Sequence, residues 1–165
     1  MQASRQRVSV MSQGNLIAGD TLGFTIRCVP TAQQRPKHMR TKTGKDITYK
    51  SEAQKANENT LDALLLPYVP KKPLSGGIEL QFTAFMPLPL SESKKRKEAM
   101  LIGHIGHTVK PDLDNLCKQL KDAMTRLRFW NDDRQVVRLI CEKAYSLDPC
   151  WKISIRNVCE ARRKP

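Results

Sequence analysis

The run KPDLDNLCKQLKDAM, Lys110 to Met124, joins an apolar helical stripe to a pair of aspartates. Leu113, Leu116, Cys117, Leu120, Met124 and Leu127 recur at helical spacing and share one side, while Asp114, Lys118, Lys121 and Thr125 fall on another. The pattern predicts a helix opening just after Pro111. Asp112 and Asp114 lie in its first turn, where aspartate caps free N–H groups and complements the helix dipole. Asp132 and Asp133 follow in FWNDDRQ, where an ordinary turn accounts for them. The charge of the chain makes the two pairs together more telling. It carries 29 Lys and Arg against 16 Asp and Glu, a formal net charge of +13, with a pI near 9.8. Such a balance predicts a polyanionic partner, a nucleic acid or an anionic membrane surface. Carboxylates among those cations weaken the encounter unless a bound cation offsets them. A helix of about 14 residues runs roughly 21 Å, so an antiparallel returning strand can carry Asp133 back to the helix start. Four converging carboxylates then need a counter-ion. Mg²⁺ takes hard oxygen ligands and keeps waters, which suits one or two carboxylates plus a substrate phosphate, and such a site can hydrolyse a phosphodiester.

Outward from this helix, LGFTIRCVP (Leu22–Pro30) reads as a strand and Thr31–Tyr49 as a long basic loop. A second helix is expected to start near Ser51 and stop at Pro67, followed by a linker over Val69–Gly77. Ile78–Pro87 has period-two character and reads as a strand. Lys94–Lys97 lies on a short helix or a loop, and IGHIGHTV is loop. QVVRLICEKAY and Cys150–Val158 read as two strands joined at SLDP in a hairpin. The order β-α-β-α-β-β predicts an α+β domain, a mixed sheet flanked by helices.

At 165 residues, with 39% apolar and 5% aromatic residues, one domain with a modest core is expected. It spans residues 20–160, after an N-terminal extension (1–19) that reads as flexible and before a basic tail (161–165). The extension has arginines and serines but no acid before Asp20; organelle targeting is the weaker reading of it, and a cytoplasmic location the stronger. No apolar run approaches a membrane span. Five cysteines without a C-x-x-C pair read as reduced, buried thiols. Gly103 and Gly106 argue against a helical zinc site at His104 and His107.

PDLDNLCK followed by FWNDDRQVV resembles the RusA family of Holliday junction resolvases, common in phages and prophages. Asp112, Asp114, Asn115 and Lys118 match its D-x-D-N-x-x-K motif; Asp132, Asp133 and Gln135 match a DD-x-Q segment, and Lys143 a basic residue on the next strand. Gln34–Lys37 with Tyr49 is similar to a further basic stretch of phage members. The resemblance covers roughly Leu22 to Val158. Arg128 departs from it, since relatives often carry glycine there to end the helix in a left-handed turn. The resemblance implies an α+β homodimeric endonuclease using Mg²⁺ or Mn²⁺ that nicks paired strands of four-way junction DNA, leaving 5′-phosphate and 3′-hydroxyl ends. It implies Asp112, Asp114 and Asp133 as metal ligands, Asp132 as a further candidate, and Lys118 as catalytic. The DNA-contacting candidates are Arg35, Lys37, Arg40, Lys94, Lys95, Arg96, Lys97, Lys110, Lys121 and Lys143. Phe129 and Trp130 read as core. A nuclease for other branched DNA and a non-catalytic DNA-binding module are the alternatives; the carboxylates disfavour the latter.

Overall fold

The predicted helix is present, as α3 (Leu113–Arg126), in a computed structural model that describes residues 16–18, 21–34, 37–41 and 43–159. Its stripe is the centre of the core: Leu116, Leu120, Ala123 and Met124 are fully buried and Cys117 nearly so. Each fully buried leucine contributes about 1.5–3 kcal/mol. Beside it lies α1 (Glu52–Leu65), whose N-cap is Ser51, its hydroxyl accepting from Gln54 N at 3.2 Å. Leu66–Tyr68 add a 3₁₀ turn around Pro67, which ends the helix. Arg126 of α3 grips Asp62 of α1 through two hydrogen bonds, of 2.8 and 3.1 Å.

These helices cover one face of a five-stranded mixed sheet. Its strands are β1 (Leu16–Ala18), β2 (Thr21–Ile26), β5 (Gly77–Pro87), β6 (Val136–Ser146) and β7 (Cys150–Cys159), in the order β1-β2-β7-β5-β6. Of the neighbouring strands in this sheet, only β5 and β6 run parallel, joined by α2 (Lys94–Leu101) and α3 as a crossover. Ile78, Leu80, Phe82, Ala84 and Met86 of β5 point toward α3, with Trp151, Ile153 and Ile155 of β7 in register beside them. The other face is polar: Glu79, Gln81 and Thr83 align with Arg156, Ser154 and Lys152. Glu79 is 4% exposed and is held by Arg138 and Arg156, at 2.9 Å and 2.6 Å.

Three expectations are corrected. β6 and β7 do not form a hairpin; β5 lies between them, and Leu147–Pro149 cross its end. The jump is about 10 Å, two strand spacings, within reach of the four peptide steps from Ser146 to Cys150, which extend to roughly 14 Å. β5, buried along most of its length, is the strand that gains most from two neighbours. The region Thr31–Tyr49 is not all loop: β3 (Lys37–Arg40) and β4 (Asp46–Tyr49) pair as a separate antiparallel hairpin, turning at Gly44 with φ 83°. Leu16–Ala18, expected in the flexible extension, form β1 against β2. The rest of that extension and the tail 161–165 lie outside the described residues.

A candidate active site on the third helix

Asp112 has the extended backbone of an N-cap, but its side chain makes no capping hydrogen bond. Its carboxylate is therefore exposed and uncommitted, contrary to the capping expected of it. Asp114 is exposed on the first turn. A cleft of about 580 Å³ opens between α3 and β6. Asp114, Lys118, Lys121, Asp122 and Asp133 stand around it, and Leu113, Cys117, Leu139 and Cys141 form its apolar floor.

Asp133 reaches this cleft from the opposite end of the helix. It lies in a 3₁₀ turn, Asp133–Gln135, and its Oδ2 is 3.5 Å from Lys121 Nζ. Lys121 is two turns along α3 from Asp114, about 10 Å at 1.5 Å per residue. The expected convergence of four carboxylates is thus not formed. Among the described residues, no three His, Cys, Asp or Glu side chains gather closely enough to hold a metal ion. Asp132 is committed elsewhere: it accepts from Arg134 N, Nε and Nη2 at 2.8–2.9 Å and caps the 3₁₀ turn. The Arg134 hydrogen bonds hold its carboxyl down at about 2.

The supports of the site are hydrogen bonds to backbone. Gln135 Oε1 accepts from Asn131 N and Asp132 N, while its Nε2 donates to the carbonyls of Leu74 and Gly76. One side chain thus fastens the Asp133 turn to the strand entering the core. Lys143, expected to touch DNA, instead donates to the carbonyls of Val109 and Pro111 at 3.0 and 2.8 Å. It fixes the segment leading into Asp112. Two residues along β6, Tyr145 packs against the His107 ring at 4.7 Å between centroids. His107 is buried, its Nδ1 has no partner, and burial with the nearby Lys143 charge pushes its pKa down. Sequence reasoning missed the holding roles of Lys143 and Tyr145. Their spacing of two on a strand, on the face toward α3, was the available signal.

Of the other cations, Arg40, Lys94, Lys95, Lys110 and Lys118 are exposed. Arg96 bridges Glu92 at 2.7 Å and Lys97 donates to the Leu90 carbonyl, so these two are partly occupied locally. Arg35 lies outside the described residues, as does the side chain of Lys37. Phe129 and Trp130 are fully buried, with Trp130 Nε1 donating to Thr125 at 2.8 Å. His104 is exposed and separated from His107 by loop. No helix among the described residues is long and apolar enough to cross a membrane.

A mixed sheet covered on one face by helices, with a cleft ringed by acidic and basic side chains, defines a basic α+β protein. Residues 28–156 match the family model described as Endodeoxyribonuclease RusA, and the chain belongs to that family. It is 33% identical over 141 residues to the Uncharacterized protein YqaN of Bacillus subtilis (strain 168), covering 84% of this chain and 98% of that one. It is 31% identical over 120 residues to the Crossover junction endodeoxyribonuclease rusA of Lactococcus phage r1t, covering 73% and 84% respectively.

Proposed function

We propose that this protein is a metal-dependent endonuclease resolving four-way DNA junctions by paired nicks, in the cytoplasm of a bacterial or phage-infected cell. The observation that carries the reading is the meeting of Asp114, Asp133 and Lys118 around one cleft, in a chain of an endodeoxyribonuclease family. The donor chemistry, carboxylate oxygens, suits a hard divalent cation, although no three described carboxylates are gathered closely enough to hold one as they stand. Asp112, Asp114 and Asp133 would hold Mg²⁺ or Mn²⁺, with water and phosphate oxygens completing the shell because the carboxylates alone do not close one. When bound, the ion supplies charge neutralisation on the phosphodiester and a more acidic water. Lys118, exposed at the rim, stabilises negative charge building on the scissile phosphate. Lys143 and Gln135 keep the two arms carrying the carboxylates in place. The hydrolysis leaves a 5′-phosphate and a 3′-hydroxyl. Paired nicks require two sites, hence a homodimer.

Labelled four-way junctions and linear duplexes, incubated with and without Mg²⁺, test this directly. We expect symmetric cuts in junctions only with metal. Asp114→Asn should lose cleavage by orders of magnitude while junction binding persists, because the change removes charge and keeps shape. Full activity in EDTA or in that variant overturns the reading.

A further inference from the structure

The β3–β4 hairpin stands apart from the five-stranded sheet, as a two-stranded sheet of its own. Its register sets Met39 opposite Ile47 and His38 opposite Thr48. Side chains alternate along a strand, so Met39, Ile47 and Tyr49 share one face. On the other face the Thr48 hydroxyl and His38 Nδ1 meet at 2.9 Å. The first face is apolar, yet its three residues are 52%, 40% and 43% exposed. A hairpin of two strands is marginally stable in water, and an apolar face left open on one gains by being covered. The surrounding sequence gives the charge of what covers it. Between residues 35 and 50, Arg35, Lys37, Arg40, Lys42, Lys45 and Lys50 face Asp46 as the sole acid. Arg40 and Lys45 are exposed.

The root of the hairpin is fastened to the helix that carries the candidate site. Gln33 N donates to the carbonyl of Asn115, the residue after Asp114, at 3.2 Å, and Gln33 Nε2 donates to Asp122, at the cleft, at 3.0 Å. Gln34 N donates to Gln54 Oε1, and Gln54 Nε2 to Gln119 Oε1, both at 2.9 Å. On the returning side, Ser51 Oγ donates to Gln34 Oε1 at 2.9 Å. Gln54 and Gln119 are fully buried, where amides are costly unless paired. This network sets the hairpin at a fixed place beside α1 and α3, and so beside Asp114.

We infer that Met39, Ile47 and Tyr49 stack on base faces laid open where DNA arms branch, and that the hairpin thereby tells branched DNA from duplex. The inference rests on the proposed function for its substrate and adds the element that selects the shape. An intact duplex hides its base faces in the stack and presents phosphates and polar edges, which cations hold whatever the shape. An apolar face gains only where a base face is open. Methionine and isoleucine are among the side chains that wedge between base steps, and aromatic rings stack on single bases. The hairpin thus divides the work: Arg40 and Lys45 supply affinity for phosphate, and the apolar face supplies selectivity.

Binding in EDTA, where no strand is cut, separates this from catalysis. A four-way junction with 2-aminopurine at the branch step is compared with a linear duplex carrying it at the same sequence. The protein should change the fluorescence of the branch probe and not of the duplex probe. Tyr49→Ala and Met39→Ser should each lower junction affinity about tenfold, the scale of one lost base stack, and leave duplex affinity unchanged. Tyr49→Phe keeps the ring and should restore the selectivity. Thr48→Val, on the opposite face, should leave it intact, while Arg40→Ala should weaken junction and duplex alike. Circular dichroism and cooperative unfolding check that each variant is folded. Equal losses on both DNAs in Tyr49→Ala, no loss on either, or a loss of selectivity as large in Thr48→Val overturns the inference. A protein that shows these selective losses but never cuts junctions in Mg²⁺ leaves it standing and removes the nuclease reading. A protein that cuts junctions while Tyr49→Ala and Met39→Ser keep wild-type selectivity does the reverse.

Discussion

His107 shows how one residue couples the approach to the site to solution conditions. Its ring is sealed against Tyr145, and burial, then the Lys143 charge, lowers its pKa from the ordinary 6.5. A histidine held neutral by the fold binds fewer protons than its unfolded counterpart. Its contribution to stability is complete above the unfolded value of about 6.5 and is lost as pH falls below that, through the folded value. His107→Phe keeps the stack and removes the titration. We expect the urea midpoint of the wild type to decline relative to that variant between about pH 6.5 and 5, with the two parallel above about pH 7. Parallel profiles throughout would show that His107 does not titrate differently in the folded state. Sequence alone marks this histidine only as a poor candidate for a metal ligand. Its burial against Tyr145, on a strand far along the chain, is a tertiary fact that local pattern does not carry.

At the scale of the element, α3 ends in a way that invites a stabilising change. Phe129 N donates to the Met124 carbonyl and Arg128 N to that of Thr125, at 3.0 and 3.1 Å, and Met124 and Phe129 are both buried. This is a Schellman end, and it places Arg128 at φ 65°, in the left-handed region. An arginine there carries a steric cost that glycine lacks, of about 1 kcal/mol. Arg128→Gly should therefore raise stability by up to about 1 kcal/mol, partly offset by glycine's greater unfolded-state entropy. Chemical denaturation checks this; a loss of stability would mean the arginine side chain has a compensating contact. The departure from glycine noted in the sequence thus changes the energy of the helix end, not its geometry. α3 itself was legible because its stripe is strongly periodic and its start is punctuated by proline and aspartate. β3 and β4 were not, because strands of four residues whose described side chains are exposed leave almost no burial pattern. The Asp pairs were visible too, but their separation was not. It depends on which way the turn after the helix faces, and Arg134 and Lys121 settle that through space.

For the whole molecule, a net charge of +13 makes salt the main lever on DNA affinity. The cations are not equivalent, however. Lys94 and Lys95 are exposed, whereas Arg96 and Lys97 are held by Glu92 and the Leu90 carbonyl. Replacing Lys94 and Lys95 by alanine should shallow the log–log salt dependence of junction binding by roughly 0.9 for each phosphate contact removed, and more than the Arg96/Lys97 pair does. Titrations across a salt series decide this; equal slopes in all three proteins would mark the run as solvated surface. Composition alone announces a polyanion partner. Which lysines remain available depends on contacts with Glu92 and Leu90, which a charge count does not weigh.

The strand order also governs when the molecule can be assembled. β2 has only β1 and β7 as neighbours, and β5 is flanked by β6 and β7. The segment that closes the sheet is thus its last strand, Cys150–Cys159. During synthesis α3, β5 and β6 can come together as a crossover unit, but β1 and β2 have no edge to join until the final strand arrives. The N-terminal strands must wait, already made, for the far end of the chain. A ribosome that stalls after Asp148 leaves the edge of β2 that holds Phe24 and Ile26 without the strand it pairs with, open to other strands that could add there.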